Sequence, residues 1–436
     1  MLVRVPETIL EVVAYFVFIY PLAMSVVWII GGLYFWWRRE RRAGEYFPQG
    51  DHSSEEWPPV TVLVPCRNEA SSIEATCRAL RYLDYPDYRV VFIDDASTDG
   101  TADIIRQWVK RVPVFYLLQL TKNVGKARAL NCALAVAVNT PVTVVIDADT
   151  ILTPRALRWL IAPFTRQPRL GAVTGNPIVL NRSNLLEKMQ AAEFASIIGL
   201  VKRSQRVLGR ILTVSGCATA YRTDLLREVG GFSPATATED IEVTWQIERH
   251  FWEVWFEPRA VAFIQAPSTL KGFWKQRCRW ALGGWHLLRR HADIFSRWRW
   301  RRLWPVYLEF LLGYIWAFCF VLGSLVWLVA RIFFGKSLGI NPLPAWYGAL
   351  VSLACIAQFF VAVTINRRYD RTLWRTLFWI PWYPLAFFAV GALAAVRTAY
   401  RGLSGELEGA GLWESPSRLH IVHQEIKERE SIVSEI

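Results

Sequence analysis

Asp147-Ala148-Asp149 closes an apolar run, Val142–Ile146. Two carboxylates one residue apart at a strand end can share a hard divalent cation, with a diphosphate filling the rest of its coordination. The plainer reading is a strand capped by acidic turn formers. Asp94-Asp95 ends a second β-branched run, Arg89–Ile93, and Ser97 and Asp99-Gly100 follow it; alone, it reads equally well as a turn. Thr238-Glu239-Asp240 precedes the helical pattern Ile241–Glu248. Thr238 suits an N-cap there, and the helix dipole favours the two acids. The chemical reading is a general base that takes a proton from an attacking hydroxyl. Gln276-Arg277-Cys278-Arg279-Trp280 follows Lys271-Gly272-Phe273-Trp274-Lys275. Basic residues and Trp suit an amphipathic helix on a membrane surface. The sharper reading gives Gln and Arg to a leaving diphosphate and a Trp face to a sugar ring. Helical spacing puts Gln276, Arg279 and Trp280 on one face.

A parallel α/β sheet would bring these groups together. Val60–Pro65, Arg89–Ile93, Val114–Leu120 and Val142–Ile146 have the length and composition of strands. Ser71–Tyr82, Thr101–Val109 and Lys126–Val138 read as the helices between them. This alternation, at roughly 30-residue spacing, predicts a parallel sheet. Such sheets bind ligands at the carboxyl ends of their strands. Arg67-Asn68-Glu69, Asp94-Asp95, Asp147 and Asp149 then share one rim. Two nucleotide folds are poorly supported. Pro65-Cys66-Arg67-Asn68-Glu69 stands where a dinucleotide fold needs G-x-G-x-x-G, and Gly125-Lys126 lacks the upstream Gly and the following Ser or Thr of a P-loop.

Around this domain lies membrane. Val12–Trp37 is 26 residues without a charge, enough to span a hydrocarbon core of about 30 Å with tilt. It is too long for the apolar region of a cleaved signal peptide, and only Arg4 precedes it. Phe310–Ala330, Ser337–Asn366 and Thr376–Val396 are further uncharged stretches. Pro342 and Pro344 place the start of the middle one near Ala345, and Pro381 and Pro384 give the last one a re-entrant alternative. Arg38, Arg39, Arg41 and Arg42; Arg297, Arg299, Arg301 and Arg302; and Arg367, Arg368, Arg371 and Arg375 flank these stretches. The excess of positive charge predicts that all three clusters and the middle domain face the cytosol, with the N-terminus outside. Fifty Lys and Arg against 37 Asp and Glu leave a net charge of +13. Because the cations cluster at membrane edges, they argue for anionic headgroups of the lipid bilayer and against nucleic acid. The seven Cys are scattered without a C-x-x-C pair, so neither a metal site nor a disulfide framework is indicated.

The ordered motifs P-C-R-N-E (65–69), D-D-A-S-T-D (94–99), N-V-G-K (123–126), D-A-D (147–149), T-E-D (238–240) and Q-R-C-R-W (276–280) resemble those of processive family-two glycosyltransferases. Longer strings at Met24–Trp36, Gly171–Pro177, Thr238–Trp245 and Thr269–Gly284 are similar to the bacterial poly-β-1,6-N-acetylglucosamine synthases, over nearly the whole chain. The resemblance implies a GT-A fold, UDP-N-acetylglucosamine as donor, and inversion by direct displacement with Mg²⁺ or Mn²⁺. The product would be a growing β-1,6-linked polysaccharide, a biofilm component. Carried over, Asn68, Glu69, Asp94 and Asp95 would surround the uridine, with Lys126 by the nucleotide. Asp149, with Asp147, would hold the metal, and Asp240, beside Glu239, would be the base. Gln276, Arg277 and Arg279 would close over the diphosphate, and Trp280 and Cys217 would meet the acceptor sugar. The resemblance also implies a small membrane partner of the PgaD type, and cyclic dimeric GMP acting through that partner. One departure is Ala96, where Gly is usual.

The expected layout is a first span and basic linker over 1–58, a cytosolic GT-A domain over 59–270 and an interface segment over 271–302. A membrane region over 303–400 follows (spans about 306–330, 345–366 and 376–398), and then an acidic tail over 401–436. Trp304, Tyr307, Glu309, Tyr314, Trp316, Trp379, Trp382 and Tyr383 are candidates for lining a polymer channel, against a plain reading as lipid-facing aromatics. Glu309 is expected to face protein or water. Asn184–Leu208 reads as an amphipathic helix with Leu185, Leu186, Met189 and Phe194 on its apolar side. Three rival readings are a chitin-, hyaluronan- or cellulose-type synthase, a transferase that glycosylates a lipid carrier once, and a membrane transporter with an inert α/β domain.

Overall fold

A computed structural model describes residues 7–41, 57–335 and 346–404. The acidic tail, most of the basic linker, and Pro342 and Pro344 lie outside the described residues. In chain order the elements are α1 (Glu7–Phe35), β1 (Val60–Cys66), α2 (Ile73–Arg81), β2 (Tyr88–Asp94), α3 (Thr101–Val109), β3 (Phe115–Gln119), α4 (Lys126–Val136), β4 (Val142–Val145) and β5 (Ile151–Leu152). Then come α5 (Ala156–Arg166), β6 (Leu170–Val179), α6 (Leu185–Glu193), α7 (Val201–Leu208), β7 (Thr219–Arg222), α8 (Thr223–Glu228), α9 (Glu239–Arg249), β8 (Glu253–Ile264) and α10 (Leu270–Arg290). The chain closes with α11 (Trp304–Phe334), α12 (Trp346–Asn366) and α13 (Tyr383–Ser404).

One sheet, in the order β3-β2-β1-β4-β7-β6-β8-β5, forms the α/β domain. The four strands expected from sequence form its parallel side, with β1 between β2 and β4. The apolar runs of β1, β2 and β4 are buried on both faces, as a helix-covered parallel sheet requires, whereas the edge strand β3 is partly exposed. Val62, Val64, Phe92 and Val144 pack toward α2 and α5. Leu63, Val91, Ile93 and Val145 point the other way, toward α4, α8 and α9. That is the period-two alternation of strand side chains. The other side of the sheet is mixed: β7 runs antiparallel to β4 and β6, while β6 and β8 pair in parallel. Pairing of Cys66 with Asp94 and of Leu63 with Val145 aligns the carboxyl ends of β1, β2 and β4. The acidic motifs therefore emerge on one rim.

The segment 185–208 is a single helical rod with a π-helical stretch, Phe194–Leu200, in its middle. It starts with a capping box: Asn184 accepts from the Glu187 N–H, and Glu187 bonds back to the Asn184 N–H. The amphipathic reading needs correction here. Leu185 is exposed, whereas Glu187, Gln190, Glu193, Lys202, Arg203 and Gln205 are buried. The rod lies between the sheet and the membrane helices, so its polar residues are covered along with Phe194, Leu200 and Val201.

Among the described residues three helices are long and apolar enough to cross a membrane: Glu11–Glu40, Trp304–Phe333 and Gly348–Asn366. They flank the α/β domain on both sides. The fourth expected span, 376–398, is not a continuous helix. A 3₁₀ stretch runs from Arg371 to Trp382, and α13 begins at Tyr383. Pro381 has no N–H and disfavours helical backbone at the residue before it; Pro384 falls in the first turn of α13, where a missing N–H is tolerated. α13 then packs along α10, and Trp285 Nε1 donates to the Ala395 carbonyl at 2.9 Å.

Several of the candidate channel aromatics hydrogen-bond to the protein. Trp304 Nε1 donates to the Ile294 carbonyl at 3.0 Å, and Trp316 Nε1 to that of Val17 at 2.9 Å. The Tyr307 and Tyr314 hydroxyls donate to the Leu288 and Ala281 carbonyls at 2.8 Å. These rings pin α11 to α1 and α10. Glu309 faces protein as expected, accepting from Trp28 Nε1 at 3.3 Å and from Gln205 Nε2 at 3.4 Å.

Candidate active site

Lys126 is the centre of the rim. It opens α4, and its ammonium lies 2.7 Å from Asp147 Oδ1 and 2.8 Å from Glu239 Oε1. One cation thus joins the D-x-D at the end of β4 to the T-E-D at the start of α9. Burial works against its charge, but the two carboxylates hold its pKa above that of an ordinary lysine. Lys126 is aimed by its own loop. Asp95 accepts the Val124 and Gly125 N–H groups at 2.8 and 2.9 Å, and Gly125 takes a φ of 88° that favours glycine. The Asp95 carboxylate therefore shapes the loop that presents Lys126.

At the ends of β1 and β2, Asn68 sits at φ 52° and accepts the Thr98 N–H on Oδ1 at 2.9 Å. Arg67 Nη1 donates to the Ala96 carbonyl at 3.0 Å. Ala96, at φ 55°, occupies the left-handed region that explains why Gly is usual there. Glu69 is buried, with Oε2 accepting the Ser72 hydroxyl at 2.7 Å. Asp94 is fully buried. Its Oδ1 accepts the Ser97 N–H at 3.3 Å, and its Oδ2 has no partner among the described residues. A buried carboxylate oxygen in that state fits a donor on an incoming ligand.

Asp240 lies in the first turn of α9. Its Oδ1 accepts the Ile241 N–H at 3.0 Å and its Oδ2 the Gly216 N–H at 3.3 Å. Burial first, then the neighbouring Glu239 carboxylate, raises its pKa, as suits a proton acceptor. Burial would raise Glu239 too, but the Lys126 ammonium holds it below the usual range. The adjacent acids are thus driven apart, and Asp240 is the one with the higher proton affinity. Cys217 lies at the same floor. Burial and Asp147 push its thiol well up, so it stays protonated at neutral pH.

The Q-R-C-R-W segment forms part of α10. Arg279 is exposed and acts electrostatically on both Glu239 and Asp240. Gln276 Oε1 is buried without a hydrogen-bond partner among the described residues. Arg277 departs from the expected diphosphate role. It is buried, pairs with Glu193 at 2.6 Å, and stacks between Phe273 and Trp280 at 4.5 and 4.4 Å. It binds α10 to α6. Trp280 faces Phe194 of the π-helical stretch, with ring centroids 6.3 Å apart.

The donor set fits a hard cation of the Mg²⁺ or Mn²⁺ kind, which uses one or two carboxylates and takes its remaining oxygens from substrate phosphates. Asp149 and Asp147 would supply the carboxylates. Among the described residues no three His, Cys, Asp or Glu converge on a complete protein cage.

A parallel half-sheet with this acidic rim, a T-E-D helix and a Q-R-C-R-W helix define a nucleotide-sugar-type transferase of GT-A fold. Residues 58–283 match the family described as "Glycosyltransferase like family 2", and the chain belongs to it. It is similar over nearly its full length to the poly-beta-1,6-N-acetyl-D-glucosamine synthases of Staphylococcus epidermidis and Staphylococcus aureus. The first is 32% identical over 413 residues, 93% of this chain and 98% of the relative. The second, from strain COL, is 33% identical over 408 residues, 92% and 98% of the two chains. A mannosyltransferase from Pyrobaculum calidifontis, solved in complex with GDP-Man and Mn²⁺, shares the fold. Its TM-score is 0.54 at 21% identity, covering 81% of this chain and 99% of that one.

Sequence reasoning missed Lys202 and Ser215, described below, and the pair Arg203–Glu40. Lys202 and Arg203 belong to the stretch Asn184–Leu208, which reads as an amphipathic helix, and the available signal was their adjacent positive charges.

Proposed function

We propose that this protein polymerises N-acetylglucosamine from UDP-N-acetylglucosamine into β-1,6-linked poly-N-acetylglucosamine. The observation that carries the reading is the Lys126 bridge, which sets the D-x-D at 2.7 Å and the T-E-D at 2.8 Å from one ammonium. Donor and acceptor chemistry then meet at one point. The names of the full-length staphylococcal relatives support the sugar and linkage.

The reaction is an inverting displacement. The acceptor hydroxyl attacks the anomeric carbon, Asp240 takes its proton, and UDP leaves from the opposite face. Asp149 and Asp147 would hold Mg²⁺ or Mn²⁺, which supplies positive charge to the leaving diphosphate when bound. Arg279 adds charge at the same rim. Asp94, with Asn68 and Glu69 beside it, receives the base end of the nucleotide. Gln276 and Trp280 face the sugars, with Cys217 at the floor. Arg277 fixes α10.

The domain lies on the cytosolic side, by the arginine clusters at the ends of the spans. A polar polymer does not cross hydrocarbon unaided, so the helices that pack against the domain assist its passage. A small membrane partner of the PgaD type works with the chain, and cyclic dimeric GMP acts through it.

Membranes containing the full chain and that partner are supplied with Mg²⁺ and labelled UDP-N-acetylglucosamine. The expected product is long, cut by a β-1,6-specific hexosaminidase and resistant to chitinase. Chitinase sensitivity would overturn the linkage, and a single transferred sugar would overturn polymerisation.

A further inference from the structure

Lys202 lies on α7 and is 4% exposed. Among the described residues its ammonium makes one hydrogen bond, to Ser215 Oγ at 2.5 Å, and no ion pair. A buried cation without a carboxylate partner is costly. Burial brings its pKa down to about 8, with Cys217 and Asp240 pulling it back up. Ser215 is held on two further sides. Its N–H donates to Thr174 Oγ1 at 2.8 Å, and its carbonyl accepts the Thr219 hydroxyl at 2.7 Å. The next residue, Gly216, gives its N–H to Asp240 Oδ2 at 3.3 Å.

We propose that Lys202 is a positioning residue for the transfer step: it holds the Ser215–Cys217 loop against Asp240 from the helix that packs on the first membrane span. This rests on the reading of Asp240 as the base. The far end of the connection is α1, packed along α7, where the Ser204 hydroxyl donates to the Val27 carbonyl at 3.2 Å. Movement of the first span relative to the sheet therefore reaches the base through one side chain. The charge acts as well as the bond. Asp240 is faced by Glu239 of α9, Lys126 of α4, Arg279 of α10, Tyr221 of β7 and Lys202 of α7. Removing one cation from this set raises the proton affinity of Asp240.

The test uses the full chain in membranes, with Lys202→Met, Ser215→Ala, the double variant and Asp240→Asn. Lys202→Met is expected to lower kcat about tenfold or more, the rate equivalent of one hydrogen bond to a charged group. KM for UDP-N-acetylglucosamine and Mg²⁺-dependent UDP binding stay as in the parent. The acid limb of the kcat profile moves to higher pH. Ser215→Ala lowers kcat without moving the limb, and the double variant is no worse than Lys202→Met. An unchanged kcat and limb in Lys202→Met would overturn the proposal, and so would joint loss of UDP binding and turnover, which marks a merely structural role. If Lys202→Met does not fold, Ser215→Ala decides, and an unchanged kcat there overturns it. Near-normal turnover in Asp240→Asn sinks the base assignment itself; a silent Asp240→Asn beside an unaffected Lys202→Met sinks only the role of Lys202.

Discussion

At the residue scale, adjacent carboxylates do different work because their neighbours differ. Glu239 is tied to Lys126, while the Asp240 carboxylate accepts backbone N–H groups and carries the raised pKa. A base must be unprotonated to act. Turnover is therefore expected to fall on the acid side at a pH above that of an ordinary aspartate, a shift that a kcat–pH profile reads directly. Asp149 belongs to a different step: Asp149→Ala should abolish Mg²⁺-dependent UDP binding, measured by calorimetry on the purified protein. Most of these residues were legible in the sequence because acids at the ends of apolar runs fall on a shared rim once the strands are parallel. The exceptions were long-range. Asp95 shows as half of an acidic pair, but that it shapes the loop before Lys126 depends on a contact about thirty positions away.

At the element scale, α10 seats the catalytic turn. A Cβ on Gly283 would collide with Thr238 Oγ1, inside the T-E-D motif. Gly283→Ala is expected to push α10 away from α9 and lower kcat more than tenfold, with UDP binding retained; a rate assay beside a binding assay checks the split. The parallel strands and the helices between them were readable from apolar runs and turn residues. The second half of the sheet was not: β5 has two residues and β7 four, too short for a periodic signal, whereas β6 with ten and β8 with twelve were long enough to read and were passed over. The 3₁₀ stretch before α13 was foreshadowed only as a re-entrant alternative to a span, because hydropathy does not register a missing N–H. The two prolines were the available signal.

At the scale of the whole molecule, the membrane helices and the catalytic domain meet through buried charge. Arg203 is fully buried and pairs with Glu40 at 2.6 Å, and the Tyr369 hydroxyl donates to the same carboxylate at 2.8 Å. That joint ties the end of the first span to the helical rod and to the segment after α12. Glu40→Ala leaves a buried guanidinium unpaired and should cost about 3–5 kcal/mol of stability, visible as a lowered thermal midpoint in detergent. The three apolar spans could be found by length and composition, whereas the joint depends on residues 163 positions apart. The proposed proton transfer by Asp240, at a donor site built by other residues, is checked by measuring turnover and Mg²⁺-dependent UDP binding together on Asp240→Asn in the full chain. Turnover reduced by about 10²–10⁴-fold with UDP binding intact is the expected result; near-normal turnover, or binding lost in step with it, would contradict the assignment.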